Sequence, residues 1–343
     1  SGASFPLAIR MVLDDPRFSS ARVGRMTAAN TAGGIAGSLA AGILLLPALG
    51  LDAAVRILAL VGILTGTAAW VLARAITRPS AGRRPRLAAA VAAAAILTWY
   101  LLPGATGTRL PQDHLARGSV LVDHVEGLGS TLAVVDADGA LQLEIDNLWQ
   151  GSSVKGHQVM AAHLPALLHG DPRDVLVIGV GVGQTAGRFL MHDVAALDCV
   201  DIERAIFPFI RRHFATDWME DPRVTLVADD GRTFTAHTER AYDVVSIEVG
   251  QVFRPGIDVF YNREFYEAAR DRLAPGGVVS QFVPLGYLDP ERLRSVVATF
   301  LTVFPEASLW YNTRELLLVG SPAAAPRLDT SLLASRVDVA GNE

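Results

Sequence analysis

The chain has 343 residues, of which 50% are hydrophobic, and a mean hydropathy of +0.32, high for a soluble protein and pointing to membrane segments. A formal net charge of -5 gives no support to general nucleic-acid binding. The single cysteine, Cys199, excludes an internal disulfide framework and reads as a core residue of an apolar run.

In chain order, the first residues read as the middle of a longer sequence, since Ser1 stands where Met would be. Ala3 to Leu13 is apolar but carries Arg10 and is too short to cross a bilayer. Ala28 to Leu51 predicts a first transmembrane helix, an uncharged stretch of roughly 20 apolar or small residues. Within it Gly33, Gly37 and Ala41 recur every fourth residue, a small face that lets helices pack closely in lipid. Ala53 to Ala75 predicts a second span. Leu87 to Leu102 is a shorter third stretch with Trp99 and Tyr100 at its interface end. Arg78, Arg83, Arg84 and Arg86 place the loop before it in the cytoplasm. The expectation is an integral protein of the cell inner membrane, in contact with lipid, whose following domain faces the cytoplasm. That orientation requires either that Leu87 to Leu102 does not cross or that further spans precede Ser1.

Residues 1–104 are thus read as the transmembrane region. Ser119 to His124, Thr131 to Val135 and Ala140 to Ile145 predict short strands, with the turn Asp136 to Gly139 joining the last two. They form a small antiparallel β-domain over 105–150, ending in Asp146 to Gln150. From 151 to 322 apolar runs and helical segments alternate, which predicts a mainly parallel sheet covered on both faces. The remainder, 323–343, is a tail. The fold class is therefore α/β and Rossmann-like, preceded by a small β-domain and transmembrane α-helices.

The centre of that pattern is Asp174 to Glu203. The strand Val175 to Ile178 runs into Gly179, Gly181 and Gly183, then a helix, then the strand Ala195 to Val200 and Asp201. Glycines at such a turn let backbone approach a ligand, and an acid about 20 residues on suits a ribose diol. Asp230 with Gly231 follows the next strand and can accept from an adenine amino group. Glu248 ends the strand after that, where it can hold an amine or take its proton. In open α/β sheets ligands bind outside the carboxyl ends of the strands, and all these residues stand there.

Gln150, the GVGVG turn, VDIE at 200–203, DDGR at 229–232, YDVVSIE at 242–248, FYNREFYEAARDRLAPGG at 260–277 and Gln281 resemble the spermidine synthases, the polyamine aminopropyltransferases. They are most similar to the branch with transmembrane helices ahead of the synthase domain. The resemblance implies a β-domain on an S-adenosylmethionine-methyltransferase-type sheet. The implied chemistry moves an aminopropyl group from decarboxylated S-adenosylmethionine to an amine acceptor, releasing methylthioadenosine, with no metal. It implies that Gln150, Gly179, Gly181, Gly183, Asp201, Asp230 and Gly231 hold the nucleoside. Glu248 would stand for the first Asp of the family's catalytic Asp-x-x-Asp and Gln251 for the second, with Tyr261 and Gln281 lining the acceptor pocket. A homodimer is a compatible assembly.

The chain departs from the family at the acceptor side. Val182 stands in the turn where the family has an acid, Gln251 replaces the second Asp, and Gly156, His157 and Gln158 replace an acidic Tyr-His-Glu segment. An ammonium without a carboxylate partner costs several kcal/mol on the order of magnitude, so putrescine is disfavoured. His157 and His163 are alternative polar contacts for the substrate. Three readings follow: an aminopropyltransferase with an unusual amine; a methyltransferase or related enzyme using full S-adenosylmethionine, which the loss of the acid at Val182 suits; and a non-catalytic membrane sensor or transporter with a degenerate synthase domain.

Overall fold

The computed structural model describes residues 19–76, 93 and 118–328, apart from 128, 154, 155, 157, 253, 255, 313–315 and 324. The stretch Leu87 to Leu102 apart from residue 93, His157 and the expected tail beyond residue 328 lie outside the described residues. The chain divides into two compact units, Ser1–Pro111 and Gln112–Glu343.

In the first unit, α1 (Ser19–Leu39) passes through a π-helical segment (Ala40–Leu45) into α2 (Leu46–Ile76). The last element is broken at Gly50, whose φ of 75° and ψ of 171° are not helical. Val23–Leu45 is long and apolar enough to cross a membrane. Ile35, Leu39, Ile43 and Leu44 on it are all more than half exposed. The second expected span is helical to Ile76, and among the described residues its apolar part is Ala53–Gly66.

The second unit opens with a four-stranded antiparallel meander, β1 (Val120–Glu126), β2 (Thr131–Ala137), β3 (Ala140–Ile145) and β4 (Leu148–Ser152). The fourth strand is an addition to the sequence expectation. Asp146 and Asn147, at φ 51° and 63°, make a two-residue turn that sends the chain back. Positive φ at both central positions is what a tight hairpin needs, and Asp and Asn tolerate it.

The α/β part continues through α3 (Gln158–His169), β5 (Asp174–Ile178), α4 (Gln184–Phe189), β6 (Ala196–Asp201), α5 (Ile206–His213), β7 (Val224–Ala228), α6 (Gly231–His237) and β8 (Tyr242–Ile247). It closes with α7 (Arg263–Arg270), β9 (Leu273–Val283), α8 (Pro290–Val303), β10 (Ser308–Tyr311) and β11 (Leu316–Gly320). The sheet order is β10-β11-β9-β8-β5-β6-β7, parallel from β9 to β7, with β11 and β10 antiparallel at one end. The order reverses at β5, so its carboxyl end beside that of β8 is the switch point where a crevice forms.

Helix α6 is a further addition to the sequence expectation, which gives Asp230 and Gly231 a ligand role but no helix. Asp230 caps it by accepting from the Arg232 N–H, satisfying a donor that the first turn leaves without a partner. Alternation along β5 shows both faces covered. Val175 and Val177 join one core with Phe189, Ile206 and Phe209, while Leu176 and Ile178 join the other with Tyr266, Phe300 and Phe304. Leu132, Val134 and Leu143 of the meander belong to the first of these cores. The β-unit is therefore packed on the α/β part and can supply walls to its crevice.

Candidate nucleoside and transfer site

A cavity of about 680 Å³ opens at the carboxyl ends of β5, β6 and β8, within the usual range for small-molecule sites. Its floor is the glycine turn. Gly179, Gly181 and Gly183 have φ of 88°, 55° and 77°, where a side chain is strained. At Gly183 a Cβ would also fall 2.2 Å from the Trp218 ring. The turn thus requires glycine for its backbone path and, at Gly183, for packing.

Asp201 ends β6 and is tied to this turn. Its carboxylate accepts from Val180 N at 2.9 Å and from Glu203 N at 3.0 Å. Burial raises its carboxyl above the ordinary carboxylate range. The backbone N–H groups of Glu203, Val180 and Gly181 oppose that rise, and the nearby Glu203 charge adds to it. Glu203 is buried, accepts from Ser130 Oγ at 3.0 Å and from Ala205 N at 3.1 Å, and lines the cavity. Ser130 and Gly129 come from the β1–β2 hairpin, so the meander closes this end. The sequence reading quoted Glu203 in a motif but gave it no place in the site. Its spacing two residues after Asp201, on the turn leaving the strand, was the available signal.

Asp230 and Gly231 line the same cavity. Asp230 is engaged by Arg232 through an ion pair as well as the helix cap, and that guanidinium holds its carboxyl below the usual range. Gly231 sits against β5: a Cβ there would lie 2.3 Å from Ile178 Cγ2. Ile178, Val200, Ile202 and Phe260 provide apolar walls for a flat ring.

Glu248 follows β8 across the switch point. Its backbone N–H donates to Ile178 O at 2.8 Å, joining it to β5. Its carboxylate accepts from Ser246 Oγ at 2.9 Å and from Thr185 Oγ1 at 3.3 Å. Thr185, at the start of α4, is buried and was not foreseen as a site residue. Beside Glu248 lie Gln150, on β4, and Gln251, which is buried and donates toward Trp149 O at 3.5 Å. Gln158, which the sequence sets in place of a family acid, also lines the cavity, as do Gln184 and Arg254, which have no place in the sequence expectation.

Four expected residues are not at its wall, the first being Gly183, which packs on Trp218. His163 points from α3 to His192, with Nδ1 to Nε2 at 2.9 Å, because the helix turns that side chain toward the chain after α4. Gln281, in the fully buried centre of β9, donates to Phe282 O at 2.9 Å and does not reach the cavity. Tyr261 lines a separate cavity with Asp258, Tyr287 and Arg292. Its hydroxyl donates to Val249 O at 2.6 Å, with Phe282 O at 3.0 Å, so it holds the loop after Glu248 against β9. Burial drives that phenol well above its ordinary value, which removes it as a base near neutral pH.

The sequence of residues 155–317 matches the spermine/spermidine synthase domain. Among curated relatives, the polyamine aminopropyltransferase of Nitrosomonas europaea is 33% identical over 196 residues, covering 53% of this chain and 58% of the relative. Putrescine N-methyltransferase 3 of Nicotiana tabacum is 32% identical over 154 residues, 42% of this chain and 39% of the relative. The chain thus spans about half the length of the curated relatives it matches. The solved spermidine synthase of Thermotoga maritima superposes with a TM-score of 0.55 at 20% identity, covering 62% of this chain and 76% of that one. That likeness carries the fold of the synthase domain and its β-unit.

Proposed function

We propose that the synthase domain transfers an aminopropyl group from decarboxylated S-adenosylmethionine to an amine and releases methylthioadenosine. The observation that carries this is Glu248. It is the carboxylate placed at the switch point, oriented by Ser246 and Thr185, on the far side of the glycine turn from Asp201. Asp201 would accept from the ribose hydroxyls, with Glu203 and Gln150 alongside. Ile202 and Phe260 would flank the adenine, and Asp230, already clamped by Arg232, would meet its amino group. In the reaction the amine nitrogen bonds to the carbon next to the sulfonium. The carbon–sulfur bond breaks with its electron pair going to sulfur, and the amine proton passes to Glu248. The sulfonium is a good leaving group, so holding the two reactants in line and taking that proton are the protein's main tasks.

A second reading is methyl transfer from full S-adenosylmethionine. Val182 supports it, because this buried apolar residue leaves the turn without a carboxylate to hold a lone aminopropyl ammonium. The putrescine N-methyltransferases among the relatives show that the sequence family includes that name. Incubation of the full chain in detergent with each donor and a panel of amines separates the two. Amine-dependent methylthioadenosine supports the first reading, and S-adenosylhomocysteine the second. Neither product with any amine refutes both. On the same footing, we infer that Val23–Leu45 anchors the protein in the inner membrane with the synthase domain on its cytoplasmic side, where adenosyl sulfonium compounds are made. Resistance of the full chain to carbonate extraction tests the anchor.

A further inference from the structure

The polar lining of the cavity is divided. Of its four carboxylates, Asp201 and Glu203 are bonded into the β6 end and the β1–β2 hairpin, and Asp230 is clamped by Arg232. That leaves Glu248 at the reacting end, among the amides of Gln158 and Gln251, the apolar Val182 and the guanidinium of Arg254. Arg254 is fixed in place. It donates through Nη1 to Gln251 Oε1 at 3.1 Å and pairs through Nη2 with Asp146. Asp146 is itself held on the β3–β4 turn, accepting from Thr131 N at 2.7 Å. A dication needs a carboxylate for each ammonium. Here one ammonium finds Glu248, and a second meets amides and the paired guanidinium of Arg254 in place of a carboxylate. A carboxylate meets a planar fork of five N–H donors, of which Gln251 and Asp146 use two.

Resting on the nucleoside reading above, we propose that this end takes a ligand bearing a carboxylate together with its amine, and that Arg254 is the specificity-determining residue that binds the carboxylate. Burial lowers the Arg254 value from its ordinary one, the mark of a guanidinium stripped of part of its water, which a ligand anion would replace. The carboxylate has two sources, the methionine head of the donor or an amino-acid acceptor, and the test separates them.

The full chain in detergent is titrated calorimetrically with S-adenosylmethionine and decarboxylated S-adenosylmethionine, which differ only in the carboxylate. With methylthioadenosine saturating, it is then titrated with 4-aminobutyrate and putrescine, chains of equal length with one or two ammonium ends. Each pair is repeated with Arg254→Met and Arg254→Lys. Ratios are compared within one preparation, so they do not depend on the folded fraction. A preference of about tenfold for the full donor, the size of one charge-assisted hydrogen bond, that collapses in Arg254→Met and partly survives in Arg254→Lys assigns the carboxylate to the donor. Equal donors with the same pattern for 4-aminobutyrate over putrescine assign it to the acceptor. Preference for the decarboxylated donor and for putrescine overturns the proposal, as does any preference that Arg254→Met leaves unchanged. Failure of methylthioadenosine to bind the unaltered chain overturns the nucleoside reading itself, and with it this one.

Discussion

Replacing Asp201 by Asn keeps shape and removes charge, and its effects on binding and on stability point in different directions. In the proposed complex the ribose diol donates two hydrogen bonds to this carboxylate. Hydrogen bonds to a charged acceptor contribute about 1.5–3 kcal/mol and neutral ones about 0.5–1.5. The change therefore removes about 1–1.5 kcal/mol per bond, or about 2–3 kcal/mol in all, and weakens methylthioadenosine roughly thirty- to hundredfold. Stability responds differently. Burial and the neighbouring Glu203 raise the folded Asp201 value, so the folded protein holds this proton more tightly than the unfolded chain does. That contribution is fully present below the unfolded value near 3.8 and lost as pH rises through the raised folded one. Asn carries no such loss, although its single oxygen can serve only one of the Val180 and Glu203 N–H groups. The variant is expected to melt with less pH dependence over that range than the parent. Isothermal titration with methylthioadenosine at neutral pH reads the binding, and thermal melts from pH 4 to 8 read the stability. A loss of affinity under threefold in a folded variant would refute the placement of the ribose at Asp201.

Glu248→Gln should lower turnover by about 10²- to 10⁴-fold, the usual contribution of a general base, while methylthioadenosine binds within a few-fold; steady-state kinetics beside calorimetry reads both. Gly231→Ala pushes a Cβ to 2.3 Å from Ile178 Cγ2 and 3.3 Å from Phe260 Cε1, and overpacking of this kind destabilises by about 1–3 kcal/mol, which a urea melt will show. Asp123 joins β1 to α5 through His213 Nε2 at 2.8 Å and Arg212, and the His213 hydrogen bond leads the causes that hold its carboxyl below the usual range. The stabilisation is present above the unfolded value of 3.8 and disappears as pH falls through the lowered one. Asp123→Asn should accordingly lower the melting temperature slightly at pH 6, the group being partly exposed and screened, and make no difference in strong acid.

What could be read from sequence is what the backbone dictates. The run from Val175 through the three glycines to Asp201 announces a parallel strand, a turn and a second strand, because period and residue type alone specify them. Elements held by one side chain were missed. Helix α6 begins on the Asp230 cap, and β4 returns on the Asp146-Asn147 turn, both of which also read as ordinary loops. The site followed the same division. Asp201 and Glu248 stand at strand ends, so their positions followed from topology. Glu203, Thr185 and Arg254 reach the cavity through local hydrogen bonds and a loop path that no pattern encodes. His163, offered as a polar alternative, and Gln281, implied by the resemblance, lie away from the cavity because helix rotation and the depth of β9 decide where each side chain goes.

This division bears on how the acceptor could vary among relatives. The nucleoside end is built from backbone and packing. Gly183 is hemmed in by Trp218 and Gly231 by Ile178, so changes there disturb the fold as well as the ligand. The reacting end is built from side chains that separate elements bring together: Gln158 from α3, and Gln251 and Arg254 from the loop after β8. Each can change charge without moving a strand. The loop is meanwhile held by Tyr261 through the Val249 carbonyl, outside the cavity. If the domain transfers an aminopropyl group as proposed, exchanging charge at those positions would alter which amine is accepted and leave intact the frame that presents the sulfonium carbon to Glu248.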